Sequence, residues 1–212
     1  MIYFVWIVSV VCVLCFIYYA LPVMLCRIWL KFSKFEYRLT YDDGPGRINT
    51  NEILDMLNRH NQKAAFFLLG KRISGNEKEV KRIHDGGHRI CSHGYEHLNY
   101  WNVWPWAAIA DVKKGWDAID SALGARNRVY PFRPPNGRLT IFVFLYLLFK
   151  GAPIIYWTFD SGDTWSTLPD AFEHGDKCEK KDVILLHDFD RKTDARNKYV
   201  IEFTGHILKR LD

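Results

Sequence analysis

Two histidines and two adjacent carboxylates are the side chains of this sequence best suited to chemistry. His93 and His97 are four residues apart, a spacing that would place both imidazoles on one face of a helical turn, within reach of one cation. Asp43 is the best candidate for a third ligand, and Asp42 beside it would then be free to act as a base. Taken separately, the histidines also fit a surface pair, and the carboxylates fit an ordinary polar turn before Gly-Pro.

These side chains follow short predicted strands. Runs of β-branched and aromatic residues between turn residues predict strands at 37–41, 64–69, 88–92, 129–133, 153–159 and 183–186. Longer runs between them predict helices at 51–59, 77–85, 106–123, 139–149 and 196–211. This alternation favours a parallel α/β sheet, open or closed as a barrel, whose sites assemble where strands end. We therefore expect one site, built from the residues at or just past the strand ends: Asp42, Asp43, His93, Arg133, Asp160 and His187.

The first 26 residues contain no acidic, basic or histidine side chain, and the first charge is Arg27. An uncharged run of this length can cross a bilayer as a helix. A cleavable signal peptide would have a basic start and a shorter apolar run of roughly 7–15 residues. We therefore expect a retained transmembrane anchor over residues 1–29 and a catalytic domain over residues 30–212, with a signal peptide or a buried helix as the alternatives.

Basic residues cluster directly after this predicted anchor, at Arg27, Lys31, Lys34 and Arg38. The positive-inside rule favours a domain that faces the cytoplasm, and the cluster would meet anionic lipid headgroups. The formal net charge of +5 is modest, and the chain has no nucleic-acid recognition motif or basic helix, so we expect no nucleic-acid partner. Three of the five cysteines lie in or beside the anchor. The other two, Cys91 and Cys178, offer one possible pair and no Cys-x-x-Cys unit, which argues against a disulfide scaffold.

Five segments together resemble a known family. They are Tyr-Asp-Asp-Gly-Pro at 41–45, Ser-His-Gly-Tyr-Glu-His at 92–97, Phe-Arg-Pro-Pro-Asn-Gly at 132–137, Trp-Thr-Phe-Asp-Ser-Gly-Asp-Thr-Trp at 157–165 and Leu-Leu-His-Asp at 185–188. In order and spacing they are similar to the five motifs of the polysaccharide deacetylases, the NodB-homology family or carbohydrate esterase family four. The resemblance covers about residues 37–190 and implies a distorted (β/α) barrel of parallel strands.

The resemblance also implies a role for each residue in the motifs. Asp42 would be the general base, and Arg133 would hold it in place. Asp160 would orient His187, the general acid that protonates the departing amine. A divalent metal, most often Zn²⁺ with Co²⁺ or Ni²⁺ also acceptable, would be bound by Asp43, His93 and His97. Contacts with the substrate would come from Tyr41, Pro135, Asn136, Trp165 and Leu185.

Two departures from the family pattern affect the substrate contacts. Asn136 stands where many members have an aromatic residue, and Trp165 comes one residue later than the usual Trp of the fourth motif. The identity of the aromatic residue that lines the acyl pocket therefore stays open.

Two apolar segments bear on the substrate. Residues 139–149 have no polar face, which fits either a core helix or a helix against lipid. Residues 100–106 hold four large aromatics, which favour membrane interfaces or sugar stacking, although we expect at least two of them in the core. A domain at the cytoplasmic face would meet lipid-linked amino sugars, so we expect deacetylation or deformylation of a polyprenyl-phosphate-linked N-acylhexosamine. The alternatives are cell-wall or exopolysaccharide N-acetylglucosamine, a non-sugar amide, or a non-catalytic glycan- or metal-binding role.

Overall fold

The computed structural model describes residues 2–33 and 35–211, and its centre is a five-stranded parallel sheet. The strands lie in the order β3-β2-β1-β5-β4, and side chains of β1 and β2 are buried along the whole strand, as expected for a parallel sheet with both faces covered. Their bounds are Leu39–Asp42 (β1), Ala65–Leu68 (β2), Arg89–Ser92 (β3), Phe159–Asp160 (β4) and Ile184–His187 (β5).

The chain between β3 and β4 links the two edges of this sheet. Phe132 forms isolated parallel bridges with Ser92 of β3 and with Ile154, and the chain then runs on into β4. The result is the expected distorted barrel. The strands predicted at 129–133 and 153–159 shrink to these single bridges and to β4, because Pro131 and Pro153 offer no amide hydrogen to a strand ladder.

Helices pack around the barrel and match the five predicted ones within two residues at each end. The sequence did not predict the short helices at 70–73 and 171–176, whose four and six residues give too few turns to show a period. The helices of the domain are α3 (Asn49–Arg59), α4 (Gly70–Ile73), α5 (Glu77–Asp85), α6 (Pro105–Leu123), α7 (Ile141–Phe149), α8 (Ala171–Asp176) and α9 (Asp194–Lys209).

One long apolar helix precedes the barrel. It comprises α1 (Ile2–Cys15), a π-helical turn (Phe16–Ala20) and α2 (Leu21–Phe32). The π turn lies just before Pro22, which removes one helical hydrogen bond and crowds the preceding turn. The span Tyr3–Phe32 has 30 residues, contains an 18-residue window with a mean hydropathy of 2.5, and is long and apolar enough to cross a membrane.

The two halves of this helix differ in their surroundings. The large apolar side chains from Tyr3 to Leu14 are exposed, whereas Cys26 and Leu30 of α2 are buried against the domain. At the π turn, Tyr18 packs edge-on against Phe142 of α7, with ring centroids 5.9 Å apart. The helix therefore leaves the domain without a separate linker.

The two apolar segments noted in the sequence are both partly exposed. Helix α7 buries Val143, Phe144 and Leu147 and exposes Phe142, Leu145, Leu148 and Phe149. The expectation that at least two aromatics of 100–106 lie in the core is wrong, because only Tyr100 is buried; Trp101, Trp104 and Trp106 are 40%, 68% and 67% exposed. Exposed tryptophans of this kind are typical of membrane interfaces and binding surfaces.

Candidate active site and metal centre

The carboxyl ends of β1, β3 and β5 bring the predicted reactive residues to one edge of the barrel. Asp42 ends β1 and is paired in register with His187 at the end of β5. Asp43 and His93 are the first residues beyond β1 and β3. Because all these strands are parallel, their ends meet on the same side of the sheet, where sites of α/β proteins form.

Asp43, His93 and His97 form a cluster whose ligand atoms all lie within 4.8 Å of one another. Asp43 Oδ1 is 3.7 Å from His93 Nε2 and 3.4 Å from His97 Nε2. His93 Nδ1 lies 2.8 Å from the carbonyl oxygen of Arg133, so a proton on Nδ1 is donated there and Nε2 keeps its lone pair for a metal.

The surroundings of Asp43 Oδ1 indicate whether a metal fits this cluster. The atom is buried and has no hydrogen-bond partner among the described residues, which a cation between the three side chains would supply. Burial opposes ionisation of Asp43, but His93, His187 and His97 together hold the pKa of this carboxyl below its usual value. Two imidazoles and one carboxylate with room for further ligands fit a divalent metal such as Zn²⁺.

The segment that carries His93 and His97 is a loop, so the expected helical turn is wrong. Gly94 has φ +79° and His97 has φ +63°, which breaks any helix and folds the loop so that the two imidazole rings lie 5.2 Å apart. Asp43 also has a positive φ, of 66°. Backbone held in this region by a non-glycine residue is strained and clusters at functional sites.

Asp111 of α6 fixes this loop and was not predicted from the sequence. Its carboxylate is buried and accepts hydrogen bonds from the Glu96 amide at 2.7 Å and from the Tyr100 hydroxyl at 2.9 Å. Gly94 leaves no room for a side chain beside that carboxylate. A charged residue at a position of α6 that should face the core was the only sequence signal for this role.

Arg133 lies directly against Asp42. Its Nη1 donates to Asp42 Oδ1 at 2.7 Å and to Thr40 Oγ1 at 2.9 Å, and its other nitrogens donate to the carbonyls of Ile155 and Tyr156. The guanidinium is fully buried, so these bonds fix its position. The second oxygen of Asp42 lies 3.8 Å from His93 Nε2, beside the ligand cluster.

His187 is held by Asp163, which corrects the expectation that Asp160 would hold it. His187 Nδ1 lies 3.0 Å from Asp163 Oδ1, and the His187 amide donates to Asp163 Oδ2 at 3.0 Å. The side chain of Asp160 instead accepts the amide hydrogen of Gly162 at 2.8 Å. Asp160 is engaged in this local turn, where Gly162 has φ +77°, and Asp163 contacts His187 at the end of β5.

The charge around His187 favours its protonated form. Burial would lower its pKa, but the Asp163 carboxylate and its hydrogen bond, together with Asp42 and Asp43, raise the pKa of His187 to about 9. Arg191, another residue that the sequence did not single out, donates to Asp163 Oδ2 at 2.9 Å. The pKa of Asp163 is lowered despite burial, because His187 and Arg191 stabilise its charge.

The five expected substrate contacts are dispersed. Tyr41 and Pro135 are buried, with the Tyr41 hydroxyl 3.0 Å from Thr204 Oγ1 on α9, so the Tyr41 side chain points into the core. Leu185 is 6% exposed on β5, while Trp165 is 45% exposed and packs edge-on against His174. Asn136 is exposed, with φ +56°, on the loop that follows Arg133.

Known proteins are similar to this chain in sequence and fold. The polysaccharide deacetylase family profile matches residues 31–143, which include Asp42, Asp43, His93, His97 and Arg133. The peptidoglycan-N-acetylglucosamine deacetylase of Listeria monocytogenes is 31% identical over 167 residues, which cover 74% of this chain and 33% of the Listeria protein. A peptidoglycan-N-acetylglucosamine deacetylase of Bacillus cereus is 31% identical over 158 residues, which cover 71% of each protein.

A solved structure agrees with the sequence relatives. The crystal structure of a peptidoglycan N-acetylglucosamine deacetylase, in complex with 4-naphthalen-1-yl-N-oxidanyl-benzamide, superposes with a TM-score of 0.72 at 27% identity, over 83% of this chain and 81% of that one. The chain thus spans a third of the Listeria relative and most of the solved domain. The family profile, the relatives and the shared fold agree, and the chain belongs to the polysaccharide deacetylase family.

Proposed function

We propose that this protein is a metal-dependent N-deacetylase of an amino sugar, with the roles given above and with Asp163 in place of Asp160. One observation carries the proposal. A ligand cluster (Asp43, His93, His97), a carboxylate fixed by an arginine, and an imidazole paired with a carboxylate all lie at one edge of the barrel. Amide hydrolysis needs these three parts: an electrophile for the carbonyl, a base for water and an acid for the amine.

The side chains divide this work by their charge and position. A bound divalent ion supplies Lewis acidity, which polarises the acyl carbonyl and makes water more acidic. Asp42 has one oxygen held by Arg133 and the other beside the cluster, so it can accept the proton of the attacking water. His187 is protonated below its pKa of about 9 and can donate its own proton to the departing amine, which is a poor leaving group unless it is protonated.

The amino sugar and its carrier are the finer part of the proposal. The names of the relatives support N-acetylglucosamine as the sugar and a glycan polymer as its carrier. The apolar helix beside the barrel supports a carrier in the membrane, a polyprenyl-phosphate-linked N-acylhexosamine. We propose the lipid-linked sugar, with residues 1–29 as a single-pass anchor, residues 30–212 as the catalytic domain, and the domain facing the cytoplasm because basic residues follow the helix.

Acetate release tests the chemistry. The purified full chain is loaded with Zn²⁺ and given chitooligosaccharides and prenyl-phosphate-linked N-acetylglucosamine, with and without a chelator. Asp42→Asn and His187→Ala should each lower kcat by about 10²-fold or more, because each removes a proton-transfer group. Asp85→Asn and His84→Ala, which change the same residue types at exposed positions on α5, should leave kcat unchanged.

Two results of this experiment would count against the proposal. Acetate release that persists in both Asp42→Asn and His187→Ala would show that base and acid are assigned wrongly. Turnover of chitooligosaccharides alone would support the deacetylase chemistry and would rule out the lipid-linked sugar as the substrate.

A further inference from the structure

A groove of about 640 Å³ lies between the N-terminal helix and the edge of the barrel that carries the site. Helix residues between Tyr19 and Lys31 form one wall, and Trp101 with residues 136–138 forms the other. We call it the helix–barrel groove. Both barrel segments continue loops that carry the site, since Trp101 follows His97 and residue 136 follows Arg133.

The charge of the helix–barrel groove has one sign. Arg27 and Lys31 from the helix and Arg138 from the barrel line it, and none of its lining residues is acidic. Within residues 2–33 and 35–211, none of these three cations forms an ion pair with a carboxylate. Three unneutralised cations around one cavity attract an anionic group.

Two of the cations are already oriented. The Arg27 guanidinium lies 5.4 Å from the ring centre of Tyr156 and 5.5 Å from that of Trp157, and Arg138 lies 5.2 Å from the ring centre of Trp101. Contact with an aromatic ring limits the motion of a guanidinium and still leaves N–H groups at its edge. Those edges match the oxygens of a phosphate, which arginine binds in pairs.

Trp157 connects the helix–barrel groove to the catalytic edge. Its ring contacts Arg27 on the helix, and the guanidinium of Arg133, which holds Asp42, lies 5.8 Å from the same ring. Gly137 packs so closely on Trp157 that an added Cβ would lie 2.9 Å from the ring. A ligand in the helix–barrel groove is therefore only a few side chains from the base.

The helix side of the helix–barrel groove is otherwise apolar. Val23, Met24 and Ile28 line it, and Arg27 is the first charged residue after the uncharged run. A helix that crosses a membrane places its first basic residues at the level of the lipid headgroups. This combination suits an anion that carries a long apolar chain better than a free, fully hydrated anion.

We propose that the helix–barrel groove binds the phosphate of a lipid-linked substrate through Arg27, Lys31 and Arg138. The lipid chain lies along the apolar side of the groove, and the sugar extends past Trp157 towards Asp42 and the ligand cluster. The proposal rests on the deacetylase function given above and adds the residues that recognise the carrier.

Binding tests the proposal without turnover. Farnesyl phosphate, farnesol and inorganic phosphate are titrated into the full chain in neutral detergent, and Kd is measured for each. Farnesyl phosphate should bind at least tenfold more tightly than either fragment, a difference of about 1.4 kcal/mol or more. The triple variant Arg27→Gln, Lys31→Gln, Arg138→Gln should lose this preference.

A matched variant controls for net charge. Arg59→Gln, Lys78→Gln and Arg126→Gln remove three exposed charges outside the helix–barrel groove and should keep the tight binding of farnesyl phosphate. Equal weakening in both triple variants would overturn the proposal, as would equal affinity for farnesyl phosphate and farnesol. Inorganic phosphate that binds as tightly as farnesyl phosphate would also overturn it, because the lipid would then add nothing.

Turnover measurements distinguish a failure of the groove proposal from a failure of the proposed deacetylase function. The groove variant should raise KM for prenyl-phosphate-linked N-acetylglucosamine by at least tenfold, while kcat and the rate with chitooligosaccharides stay within twofold of the unmodified chain. An unchanged KM for the lipid-linked sugar would overturn phosphate recognition by the helix–barrel groove and would leave the proposed deacetylase function unaffected. If no substrate releases acetate but farnesyl phosphate still binds as expected, the function fails and the phosphate site stands.

Discussion

The imidazole of His187 and the carboxylate of Asp163 form a pair, with Nδ1 and Oδ1 3.0 Å apart and the carboxylate fully buried. Asp163→Asn should lower kcat by about 10²-fold or more, because the imidazole loses both its orientation and the charge that keeps it protonated. Asp160→Asn is the matched control from the same segment, and it should change kcat little because its side chain only bonds the Gly162 amide. Equal losses in both variants, measured as acetate release, would contradict the assignment.

The pH dependence of kcat follows from the same pair. A general acid works only while protonated, and the pKa of His187 is raised to about 9, so activity should fall as pH rises through about 9. In Asp163→Asn the largest interaction that raises this pKa is gone and burial lowers it, so the alkaline limb should move down by about 1–3 pH units. An unmoved limb would show that a different group titrates there.

Arg133 should contribute to stability as well as to the site. It is fully buried and pairs with Asp42, which is 2% exposed. Arg133→Met should lower the free energy of unfolding by about 3–5 kcal/mol, because it leaves a buried carboxylate without a partner. Denaturant unfolding of the chain in detergent measures this, and adding Asp42→Asn should recover part of the loss because the stranded charge is removed. A single variant as stable as the unmodified chain would contradict the proposed pairing.

Asp111 should tune metal affinity although it is not a ligand. It holds the loop between His93 and His97 through Glu96 and Tyr100. Asp111→Asn should weaken Zn²⁺ binding by about 10–100-fold, as loss of a residue that supports metal ligands commonly does, and His97→Ala should weaken it further. Isothermal titration with Zn²⁺ reports both, with Asp117→Asn on the same helix as the control. Equal Zn²⁺ affinities of the Asp111→Asn and Asp117→Asn variants would contradict this role for Asp111.

The apolar helix should insert into membranes through its exposed half. Val10 and Val13 are 46% and 57% exposed. Val10→Arg with Val13→Arg should move the chain from the alkaline-carbonate-resistant membrane fraction to the soluble one, because each arginine costs about 2.5–3.5 kcal/mol at the centre of a spanning helix. Val10→Leu with Val13→Leu should stay in the membrane. Retention of the arginine variant in the membrane fraction would show that membrane attachment does not depend on insertion of this exposed half of the helix.

The sequence predicted the strands and helices, whose residue patterns are periodic, and missed the contacts that depend on turns. Strand ends located Asp42, Asp43, His93 and His187, because residues beyond parallel strands must meet at one edge. The same reasoning chose Asp160, since it follows a predicted strand. Only the turn at Gly162, which no periodicity reveals, moves Asp163 into that place.

Backbone conformation explains the other differences. The spacing of His93 and His97 suits a helix, but positive φ values at Gly94 and His97 build the cluster from a loop. Asp111 could not be assigned, because its partners Glu96 and Tyr100 are more than ten residues away and reach it only once α6 has packed. Pro131 and Pro153 reduced the two predicted strands to isolated bridges and the short β4, an outcome that proline should have suggested.

The helix that runs without a linker from Tyr3 to Phe32 and then packs on the barrel has a kinetic consequence. With α1 in a bilayer, the catalytic edge would stay at one height above the lipid and could not tumble. Encounters would then occur by two-dimensional diffusion, and the rate would follow the number of substrate molecules per unit of membrane area instead of their bulk concentration. Diluting the substrate with inert lipid would slow such an enzyme even when the amounts of protein and substrate in the tube were unchanged.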